Sequence, residues 1–492
     1  MTMAEDTQVI IVGAGPVGLL LAGELRLGGA RVVVVESRVT PTTESRASTL
    51  HARTMELFDS RGLLAALGDP PRDHRGHFGG IPLDLGQPSR HSGQWKVPQA
   101  RTEQVLQEWA VSLGAQVRRG ATLTGVHDDG AAVHATIRTA RGRSVLRAPY
   151  LVACDGEDST VRRLTGAEFP GRPAHRELLR ADVAGVEIPD RRFERLAPGL
   201  AIAARRPDGV TRVMVHEFGR PAGQRTGPPG FGEVVDAWKR VTGEDLSGGT
   251  PLWVNAFGDA NRQLRHYRHG RILFAGDAAH QQMPAGGQAL NLGLQDAANL
   301  GWKLALEVGA RPPAGLLDSY HRERHQVGAR VLANIRAQAL LLLGDEEVDS
   351  VRVLLGELLA EEGNRDRLAA MISGLDVRYP QEDGDDPRLG RRMPELTWQT
   401  PDGPVGTAAL LRAGRGVLLD RCGRPGGPMS RIGRPWADRV DTVTARPAGD
   451  AEFEDHTAVL IRPDGYVAWI GADVHGAEEA LRRWFGAATP EG

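Results

Sequence analysis

A segment in the second half of the chain, Arg271 to Ala305, combines residue types that bind nucleotides. It begins with an apolar, strand-like run, breaks at Gly276-Asp277, passes Pro284 and Gly286-Gly287, and continues with apolar residues at helical spacing. A strand, a glycine turn with a carboxylate and a helix N-terminus together form a corner that binds phosphate or nucleotide groups. The segment therefore predicts one side of a nucleotide-binding site.

A second corner of this kind lies near the N-terminus. An apolar run, residues 8–12, is followed by Gly13-Ala14-Gly15-Pro16-Val17-Gly18, a helix-like stretch and a second strand that ends at Glu36. In this dinucleotide fingerprint the first glycine allows a tight turn and the second lets a pyrophosphate approach. The third lets the helix pack on the strand, and the acid binds a ribose hydroxyl. Two corners more than 250 residues apart predict one large cofactor held from both sides.

Strand-like and helix-like runs alternate around these corners, which predicts an α/β fold with a Rossmann-like parallel sheet. Residues 1–175 are expected to be the first part of this domain, with 73–98 as an excursion toward a substrate domain. Residues 176–262 predict an inserted β-sheet domain that binds substrate. Residues 263–385 return to the first domain and its helices, and 391–492 form a small α/β unit.

Two local predictions concern the first part. A hairpin is expected around Asp128-Asp129-Gly130, between strand-like runs at 121–127 and 131–139. A helix is expected over Arg101–Leu113, with Thr102 as its N-cap.

Composition excludes several classes of protein. The chain has 492 residues, of which 41% are hydrophobic and 25% charged, and this length predicts two or three domains. Its net charge of −2 predicts no electrostatic attraction to nucleic acid or to an anionic membrane. No apolar run reaches the length of a membrane span, and the first residues lack a signal-peptide pattern. Cys154 and Cys422 form no CxxC, which indicates a reducing cytoplasm, and no histidine spacing predicts a metal site.

With Asp155-Gly156 as a third motif, the chain resembles the FAD-dependent aromatic hydroxylases, the group A flavoprotein monooxygenases. The stretches that carry the resemblance are IIVGAGPVGLLLAGEL, ACDGEDSTVRRLTG and RILFAGDAAHQQMPAGGQALNLGLQDAANLGWKLA. Within this group the chain is most similar to hydroxylases that tailor aromatic polyketides such as angucyclines. Residues 391–492 resemble the thioredoxin-like C-terminal domain of the larger members, without the redox CxxC.

The resemblance implies FAD as cofactor and NADPH or NADH as co-substrate. Asp277 would accept hydrogen bonds from the ribityl chain, and the segment Pro284–Asn291 would lie against the isoalloxazine, where a helix N-terminus stabilises negative charge on the reduced ring. The implied cofactor-binding residues are Gly13, Gly15, Pro16, Val17, Gly18, Glu36, Arg46, Gln99, Arg101, Asp155, Gly156, Asp277, Pro284, Gly286, Gly287, Gln288, Ala289, Leu290 and Asn291.

Several assignments have a structural alternative. Arg46 and Gln99 are either cofactor contacts or ordinary polar residues, and His280 is expected to be structural rather than catalytic. The substrate pocket is expected to include Trp95, Gln282, Met283 and Pro284, although Trp95 could equally pack in the core. The run Gln281–Met283 departs from the relatives, so the position of attack does not transfer to this chain.

The implied reaction is hydroxylation of a polycyclic aromatic polyketide with NAD(P)H and O2 through a flavin C4a-hydroperoxide. No general base is evident in the sequence. Baeyer–Villiger insertion into a polyketide ketone or quinone is an alternative, as is a non-catalytic flavin- or ligand-binding protein. A nicotinamide-only dehydrogenase leaves the Asp277 corner unexplained, and the stretch Trp95–Pro98 does not match the flavin halogenase signature. The oligomeric state is left open.

Overall fold

The structure is a computed structural model of the chain, and it describes residues 5–41, 47–223, 225, 227–309, 312–380, 386–421, 427–449 and 458–490. Arg46, one of the expected cofactor contacts, lies outside the described residues.

Residues 5–175 contain most of a parallel sheet and its first helices. The strands are β1 (Glu5–Asp6), β2 (Val9–Val12), β3 (Val32–Glu36), β4 (Thr49–His51), β5 (Arg72–Asp73), β6 (Arg75–Phe78), β7 (Ile81–Asp84), β8 (Gln94–Lys96), β9 (Gln116–Arg119), β10 (Thr122–Asp128), β11 (Val133–Thr139), β12 (Gly142–Ala148), β13 (Tyr150–Ala153) and β14 (Gly171–Arg172). The helices are α1 (Pro16–Leu27), α2 (Ala52–Ser60), α3 (Leu64–Leu67), α4 (Gln99–Ser112) and α5 (Thr160–Thr165). The predicted hairpin is confirmed as β10 and β11, which pair antiparallel.

Residues 177–258 form an antiparallel sheet, and β20 follows it in the chain as part of another sheet. Its five strands run in the order β16–β17–β18–β15–β19, and alternate residues of β18 are buried, as in a sheet with one covered face. The covering element is α6, which buries Val234, Ala237, Trp238 and Val241. The bounds are β15 (Glu177–Ala184), β16 (Arg191–Leu196), β17 (Gly199–Arg205), β18 (Thr211–Glu217), α6 (Phe231–Thr242), β19 (Thr250–Gly258) and β20 (Asn261–Gln263).

Residues 268–373 return to the parallel sheet and then become helical. They contain β21 (Arg268–His269), β22 (Ile272–Phe274), β23 (His280–Gln281), α7 (Gln288–Glu307), α8 (Asp318–Leu343), α9 (Glu347–Ala360) and α10 (Glu362–Ser373), with 3₁₀ turns at Gly276–Ala278 and Ala285–Gly287. Among the described residues, no single helix is long and apolar enough to cross a membrane, although the bent pair α8 and α9 meets the test of length and composition.

The central sheet has six strands in the order β21–β22–β13–β2–β3–β9, and all pairs except β21–β22 are parallel. Strand β2 and the first four residues of β3 are fully buried and consist of valine and isoleucine. Such β-branched runs suit a parallel sheet that is covered on both faces. Helix α1 begins with Pro16 directly after Gly15, because proline at the first helical position loses no hydrogen bond.

The C-terminal residues form a second, smaller mixed sheet. Its order is β27–β26–β29–β30, with β26 and β27 parallel and the other pairs antiparallel. The bounds are β24 (Thr397–Thr400), β25 (Gly403–Gly406), α11 (Thr407–Leu410), β26 (Gly416–Asp420), α12 (Pro428–Gly433), a 3₁₀ turn (Arg434–Trp436), β27 (Val440–Thr444), β28 (Arg446–Pro447), β29 (Ala458–Ile461), β30 (Val467–Gly471) and α13 (Val474–Phe485).

A buried ion cluster joins this C-terminal part to the helices of the preceding part. The fully buried Arg462 donates to Glu323 Oε1 at 2.7 Å and to Glu323 Oε2 at 2.9 Å, and to Asp464 Oδ1 at 3.0 Å. Lys303 on α7 also donates to Glu323, at 2.8 Å. Because each charge has an opposite charge in hydrogen-bond contact, the cluster is compatible with a dry interior.

The prediction of Thr102 as a helix N-cap is wrong. Helix α4 begins at Gln99, three residues earlier, with Pro98 at the N-cap position, and Thr102 is fully buried in its first turn. The extended backbone of Pro98 marks the start of this helix, and no side chain caps it.

Candidate active site

The three motifs of the sequence meet at one edge of the central sheet. Strands β2, β13 and β22 are adjacent and parallel, and their last residues, Val12, Ala153 and Phe274, are in register. The three turns that follow these strands therefore begin side by side at the carboxyl edge of the sheet. This is the edge at which open α/β sheets bind their ligands.

The three glycines of the first turn differ in what a side chain would meet. Gly13 has φ +106°, and a Cβ there would lie 2.3 Å from the Cys154 carbonyl oxygen. A Cβ on Gly18 would lie 2.1 Å from the Gly13 oxygen, so the helix start can pack here only without a side chain. Gly15 has nothing within 4 Å of its Cβ position. The backbone at Gly15 therefore faces open space that a pyrophosphate can approach.

A cavity of about 430 Å³ lies against this turn, and we call it the turn cavity. Glu36 borders it and accepts hydrogen bonds from the Ala14 amide at 2.9 Å and the Arg38 amide at 2.8 Å. The residues that line the turn cavity are Val12, Gly13, Ala14, Gly15, Val35, Glu36, Ser37, Arg38, Gln99, Glu103, Arg119, Ala121, Thr122, Leu123, Cys154, Asp155, Gly156, Glu157, Asp158 and Thr160. Carboxylates and turn amides together suit a ligand that carries both hydroxyl and phosphate groups.

Asp155 presents an unsatisfied oxygen to this region. Its Oδ2 accepts from the Val161 amide at 3.0 Å, whereas its Oδ1 is buried and has no hydrogen-bond partner within the described ranges. Burial raises the pKa of Asp155, against the hydrogen bonds from Ser159 and the Val161 and Thr160 amides. A buried carboxylate oxygen without a partner is rare in native proteins, and a ligand hydroxyl would satisfy it. This observation fits a dinucleotide cofactor in the turn cavity.

The corner at Gly276 is held by a carboxylate that sequence reasoning missed. Asp296 on α7 accepts from the Gly276 amide at 3.2 Å, from His280 Nε2 at 2.8 Å and from Arg324 Nε at 2.7 Å. Burial alone would raise the pKa of Asp296, but Arg324 and His280 hold it below its usual value. His280 therefore lies inside a fully buried ion cluster behind the turn. Asp277 is exposed beside it and lines neither large cavity.

A second cavity, of about 390 Å³, lies between the inserted sheet and the start of α7, and we call it the sheet cavity. Its apolar wall comes from four strands of the inserted sheet. The residues that line it are Ala47, Ser48, Thr49, His51, Asp73, Gly76, His77, Leu85, Gln94, Lys96, Leu178, Arg180, Arg192, Phe193, Leu200, Ile202, Arg212, Met214, Phe257, Met283, Pro284, Ala285, Gly286, Gly287, Ala289, Leu290, Leu342 and Ile372. The volume is in the range of roughly 300–1,000 Å³ that is typical of small-molecule sites.

One residue pair connects the two cavities. Gln99 lines the turn cavity and Ala47 lines the sheet cavity. The Ala47 amide donates to Gln99 Oε1 at 3.2 Å, and the Gln99 amide donates to the Ala47 carbonyl at 3.0 Å. The cavities are therefore neighbours, and one elongated ligand could contact both.

Two buried side chains fix the backbone at the start of α7. His51 Nε2 lies 2.8 Å from the Gly286 carbonyl oxygen, so this nitrogen carries the proton and donates. Asn291 accepts from the His51 amide at 2.9 Å and donates to the carbonyls of Gly287, at 2.7 Å, and Thr49, at 3.0 Å. We call His51 and Asn291 the clamp. It ties strand β4 to the segment 286–287.

The two glycines of that segment are required by the backbone as well as by space. Gly286 and Gly287 have φ values of +62° and +68°. A Cβ on Gly287 would lie 3.1 Å from Thr49 Cβ and 3.3 Å from His51 Nε2. Gly287 is also the N-cap residue of α7, so no side chain occupies the cap position. The helix N-terminus, with its unpaired amides and positive dipole end, borders the sheet cavity.

Both histidines of the sheet cavity are neutral at physiological pH. Burial lowers the pKa of His51 to about 4, although its hydrogen bond to Gly286 opposes this shift. Burial, together with Arg192 and Lys96, lowers the pKa of His77 to about 4. The histidines therefore add no charge to the cavity.

The structure places two of the four predicted substrate residues in the sheet cavity. Met283 and Pro284 line the sheet cavity, whereas Gln282 lines neither large cavity, and its two polar side-chain atoms are buried without a partner in the described structure. Trp95 packs against the core, donates to the His91 carbonyl at 3.2 Å and lines neither cavity. Its strand neighbours Gln94 and Lys96 line the sheet cavity instead, because side chains alternate between the faces of a strand.

The predicted cofactor residues within the described structure fall into four groups. Gly13, Gly15, Glu36, Gln99, Asp155 and Gly156 line the turn cavity, and Pro284, Gly286, Gly287, Ala289 and Leu290 line the sheet cavity. Gln288 and Asn291 border a smaller cavity of about 190 Å³ behind the start of α7. Pro16, Val17, Gly18, Arg101 and Asp277 line neither large cavity, and Arg101 donates to Gln104 at 2.9 Å and to the Ala66 carbonyl.

Comparison with known proteins assigns the chain to a family. Residues 6–335 match the family described as FAD binding domain, and residues 386–488 match the aromatic-ring hydroxylase C-terminal family. The chain is 41% identical to a 12-dehydrotetracycline 5-monooxygenase/anhydrotetracycline 6-monooxygenase of Streptomyces rimosus, over 97% of this chain and 98% of that protein.

Two further proteins are similar to the chain over nearly its whole length. The crystal structure of CabE, an aromatic hydroxylase from angucycline biosynthesis, has a TM-score of 0.94 and 48% identity, covering 98% of this chain and all of CabE. A dialkyldecalin synthase of Streptomyces rugosporus is 40% identical over 99% of this chain and 100% of that protein.

These matches extend over nearly the whole chain in sequence and in structure, and they agree with the three converging turns and the turn cavity. The chain therefore belongs to the FAD-binding aromatic-ring hydroxylases, as an FAD-dependent monooxygenase of the type that uses NAD(P)H and O2.

Proposed function

We propose that the enzyme hydroxylates a polycyclic aromatic polyketide that binds in the sheet cavity. The observation that carries this proposal is the position of that cavity, between an apolar wall of Leu178, Leu200, Ile202, Met214 and Phe257 and the glycine segment at the start of α7. A flat apolar wall suits fused aromatic rings. Relatives named for tetracycline and angucycline chemistry support this class of substrate.

FAD would be held by both cavities. The amides of the turn at Gly13–Gly18 would bind its pyrophosphate, Glu36 a ribose hydroxyl, and Asp155 Oδ1 a further hydroxyl donor. The isoalloxazine would lie at the segment Pro284–Leu290, where the helix dipole of α7 favours negative charge on the reduced ring. Arg46, Arg101 and Asp277 remain further candidates for cofactor contacts. Residues 391–492 are proposed to be a thioredoxin-like domain, and residues 1–175, 176–262 and 263–385 the parts of the flavin and substrate domains.

Bound FAD would supply the redox chemistry that uses two electrons from NAD(P)H to place one oxygen atom of O2 on the substrate, with the other atom released as water. The residues of the chain bind and orient the aromatic ring and exclude water from it. The clamp fixes the Gly286–Gly287 peptide, and the inserted sheet fixes the substrate plane against it. His51 and His77 remain neutral, so neither delivers a proton as an imidazolium at neutral pH.

A second candidate function is ring formation without net oxidation. The relative that favours it is the dialkyldecalin synthase, which shares the whole length of the chain but is not named as a monooxygenase. Such an enzyme would convert its substrate without consuming NAD(P)H or O2.

An isotope experiment separates these functions and tests the proposed site. Polycyclic phenols and quinones are incubated with the holoenzyme, NAD(P)H and ¹⁸O2, and the products are analysed by mass spectrometry and NMR. We expect one ¹⁸O at a former C–H position. Oxygen inserted into a ring C–C bond would indicate Baeyer–Villiger chemistry, and conversion under anaerobic conditions would indicate ring formation. Ile202→Trp, which places a larger side chain in the apolar wall of the sheet cavity, should abolish turnover and leave FAD bound.

A further inference from the structure

The sheet cavity is asymmetric in charge. Its lining contains four basic residues, Lys96, Arg180, Arg192 and Arg212, and one acidic residue, Asp73. Since both of its histidines are neutral, they do not alter this balance. The apolar wall lies on the inserted sheet, so a flat ligand in this cavity would meet an apolar surface and an excess of positive charge.

Two of the charged groups are neutralised by close partners. Arg212 makes a bidentate pair with Asp182, at 2.7 and 2.8 Å. Asp73 makes a bidentate pair with Arg75, at 3.1 Å for both bonds, and also accepts from the Arg75 amide at 2.9 Å. Arg75 does not line the cavity, so the hydrogen-bonded counter-charge of Asp73 lies outside it. Asp73 also interacts electrostatically with Lys96 and Arg192, without a hydrogen bond to either of them in the described residues.

In the described part of the chain, the hydrogen-bond partners of Lys96 and Arg192 are neutral oxygens. Lys96 Nζ donates to Thr49 Oγ1 and Gln94 Oε1, each at 3.2 Å. Arg192 donates to the carbonyls of Arg75, at 2.9 Å, and Gly76, at 3.3 Å. Neither has a carboxylate within ion-pair distance among the residues that the structure describes. An ammonium has three N–H donors, so one donor of Lys96 is left for a ligand.

Strand geometry holds these two cations beside the segment Pro284–Leu290, where the isoalloxazine is proposed to lie. Lys96 is opposite Thr49 in the β4–β8 pair, and the clamp joins Thr49 to the start of α7. On the other side, a β-bulge between Arg191 and Glu194 interrupts the β16–β17 pairing at Arg192, and the adjacent Phe193 has φ +53°. Bulges often redirect side chains next to active sites. The two cations therefore lie on strands that border the expected ring position.

We propose that the substrate binds as an anion, an ionised phenol or enol of a polycyclic quinone, and that Lys96, assisted by Arg192, binds its oxygen and selects it over neutral analogues. This inference rests on the proposed function, because it uses the sheet cavity as the substrate site. The proton is lost to solvent before binding, so no base in the protein is needed. An ionised hydroxyl also makes its ring more electron-rich, which suits attack on an electrophilic oxygen.

A matched pair of quinones tests the charge requirement. 2-Hydroxy-1,4-naphthoquinone is ionised at neutral pH, and 2-amino-1,4-naphthoquinone has the same size and is neutral. Each is titrated into the FAD-bound enzyme, and binding is followed by the change in the visible spectrum of FAD. We expect the ionised quinone to bind about tenfold more tightly, as a charge-assisted hydrogen bond would give.

The variant Lys96→Met should remove this preference by weakening the ionised quinone about tenfold and leaving the amino quinone unchanged. Lys96→Arg should retain most of it. Lys239→Met is the matched control, since it removes an exposed lysine of α6 that does not line the cavity. Unchanged binding of the amino quinone and full FAD content show that a variant is folded.

The outcomes separate the two proposals. Equal affinity for both quinones, or an equal loss of both in Lys96→Met, overturns the proposed anion site while the sheet cavity remains a quinone site. Binding of neither quinone by the FAD-bound enzyme contradicts the sheet cavity as the substrate site, and with it both proposals.

Discussion

The clamp of His51 and Asn291 shows how single side chains set the shape of the backbone beside the cofactor. His51 is 235 residues from its hydrogen-bond partner Gly286, and Asn291 is 240 residues from His51. In a trans peptide the carbonyl and the following N–H point in opposite directions. By holding the Gly286 carbonyl, His51 therefore also fixes the direction of the Gly287 amide.

The first prediction is that His51→Leu weakens FAD binding about tenfold, because the Gly286 carbonyl loses its donor at a cost of about 1–3 kcal/mol. His51→Gln should retain most of the affinity, since its amide nitrogen can donate. The dissociation constant is measured by titrating the apoprotein with FAD and following its fluorescence. His77→Leu, which replaces the other buried histidine of the sheet cavity, should leave FAD affinity unchanged. A similar loss in both histidine variants would argue against the clamp.

At the residue scale, the sequence identified groups whose partners are close in the chain. Gly13, Gly15 and Glu36 are recognisable because one strand–turn–helix–strand unit contains them all. Asp296, His51 and Lys96 were missed, since their roles depend on contacts with distant segments. The sequence left Trp95 open between the substrate pocket and the core. Its neighbours Gln94 and Lys96 line the sheet cavity, and the sequence does not show which face of a short strand is turned to a cavity.

At the element scale, the packing of α1 against α7 depends on glycine. A Cβ on Gly293 of α7 would lie 2.8 Å from Val17 Cγ2, and a Cβ on Gly301 would lie 2.3 Å from Glu24 Cβ. Small residues let two helices approach closely, and here this approach places the first turn and the start of α7 on the same side of the sheet. Glu24 is itself fixed by a buried ion pair with Arg61, at 2.6 Å, so it cannot move away cheaply.

The second prediction compares one substitution at two helical glycines. Gly301→Ala should lower the free energy of unfolding by about 1–3 kcal/mol, because its methyl group overpacks the helix contact. A Cβ on Gly356 of α9 would have nothing within 4 Å, so Gly356→Ala should raise the free energy of unfolding by up to about 1 kcal/mol through helix propensity. Denaturant unfolding of the FAD-bound protein measures both. A shift of the same sign in the two variants would contradict this account of the helix contact.

Helices and strands were predicted well where apolar periodicity is strong. The hairpin predicted around Asp128-Asp129-Gly130 forms as β10 and β11, and the helix predicted over Arg101–Leu113 forms as α4. The start of α4 was misplaced because a buried threonine resembles a capping residue in sequence. The bulge in β16 was not predicted, since it is defined by its pairing with β17.

At the scale of the whole molecule, buried charge joins the C-terminal part to the rest. Arg462 contacts Glu323 and lies over the rings of Trp484, Tyr379 and Trp302 at 4.8 to 5.3 Å. Burial alone would raise the pKa of Glu323, but Arg462 and Lys303 lower it from 4.5 to about 2. The carboxylate is therefore more stable in the folded protein than in the unfolded chain.

The third prediction follows from this shift. Because the folded pKa of Glu323 is depressed, its stabilisation is complete above pH 4.5 and is lost as the pH falls toward 2. Glu323→Gln should lower the free energy of unfolding by about 3 kcal/mol at pH 7, since it leaves the two buried cations Arg462 and Lys303 with Asp464 as their remaining counter-charge. Because glutamine does not titrate, the free energy of unfolding of the variant should also fall less than that of the unmodified protein as the pH is lowered. Denaturant unfolding between pH 7 and pH 3 measures both effects.

The surface carboxylate Glu479, which pairs with His475 on α13, provides the control. Glu479→Gln should leave stability nearly unchanged, because exposed ion pairs contribute little. If Glu323→Gln were as mild as this control, the buried cluster would not be what holds the C-terminal part in place.

By itself the sequence determined the three turns, the parallel sheet and the class of cofactor, because these depend on the backbone freedom of glycine and on apolar runs within short segments. Only the tertiary structure decided how the turns align, what clamps Gly286, and which charges face the sheet cavity. Those features arise from contacts between segments far apart in the chain, and no local pattern encodes them. The positive charge around Lys96 belongs to this second group, since its partners lie on other strands.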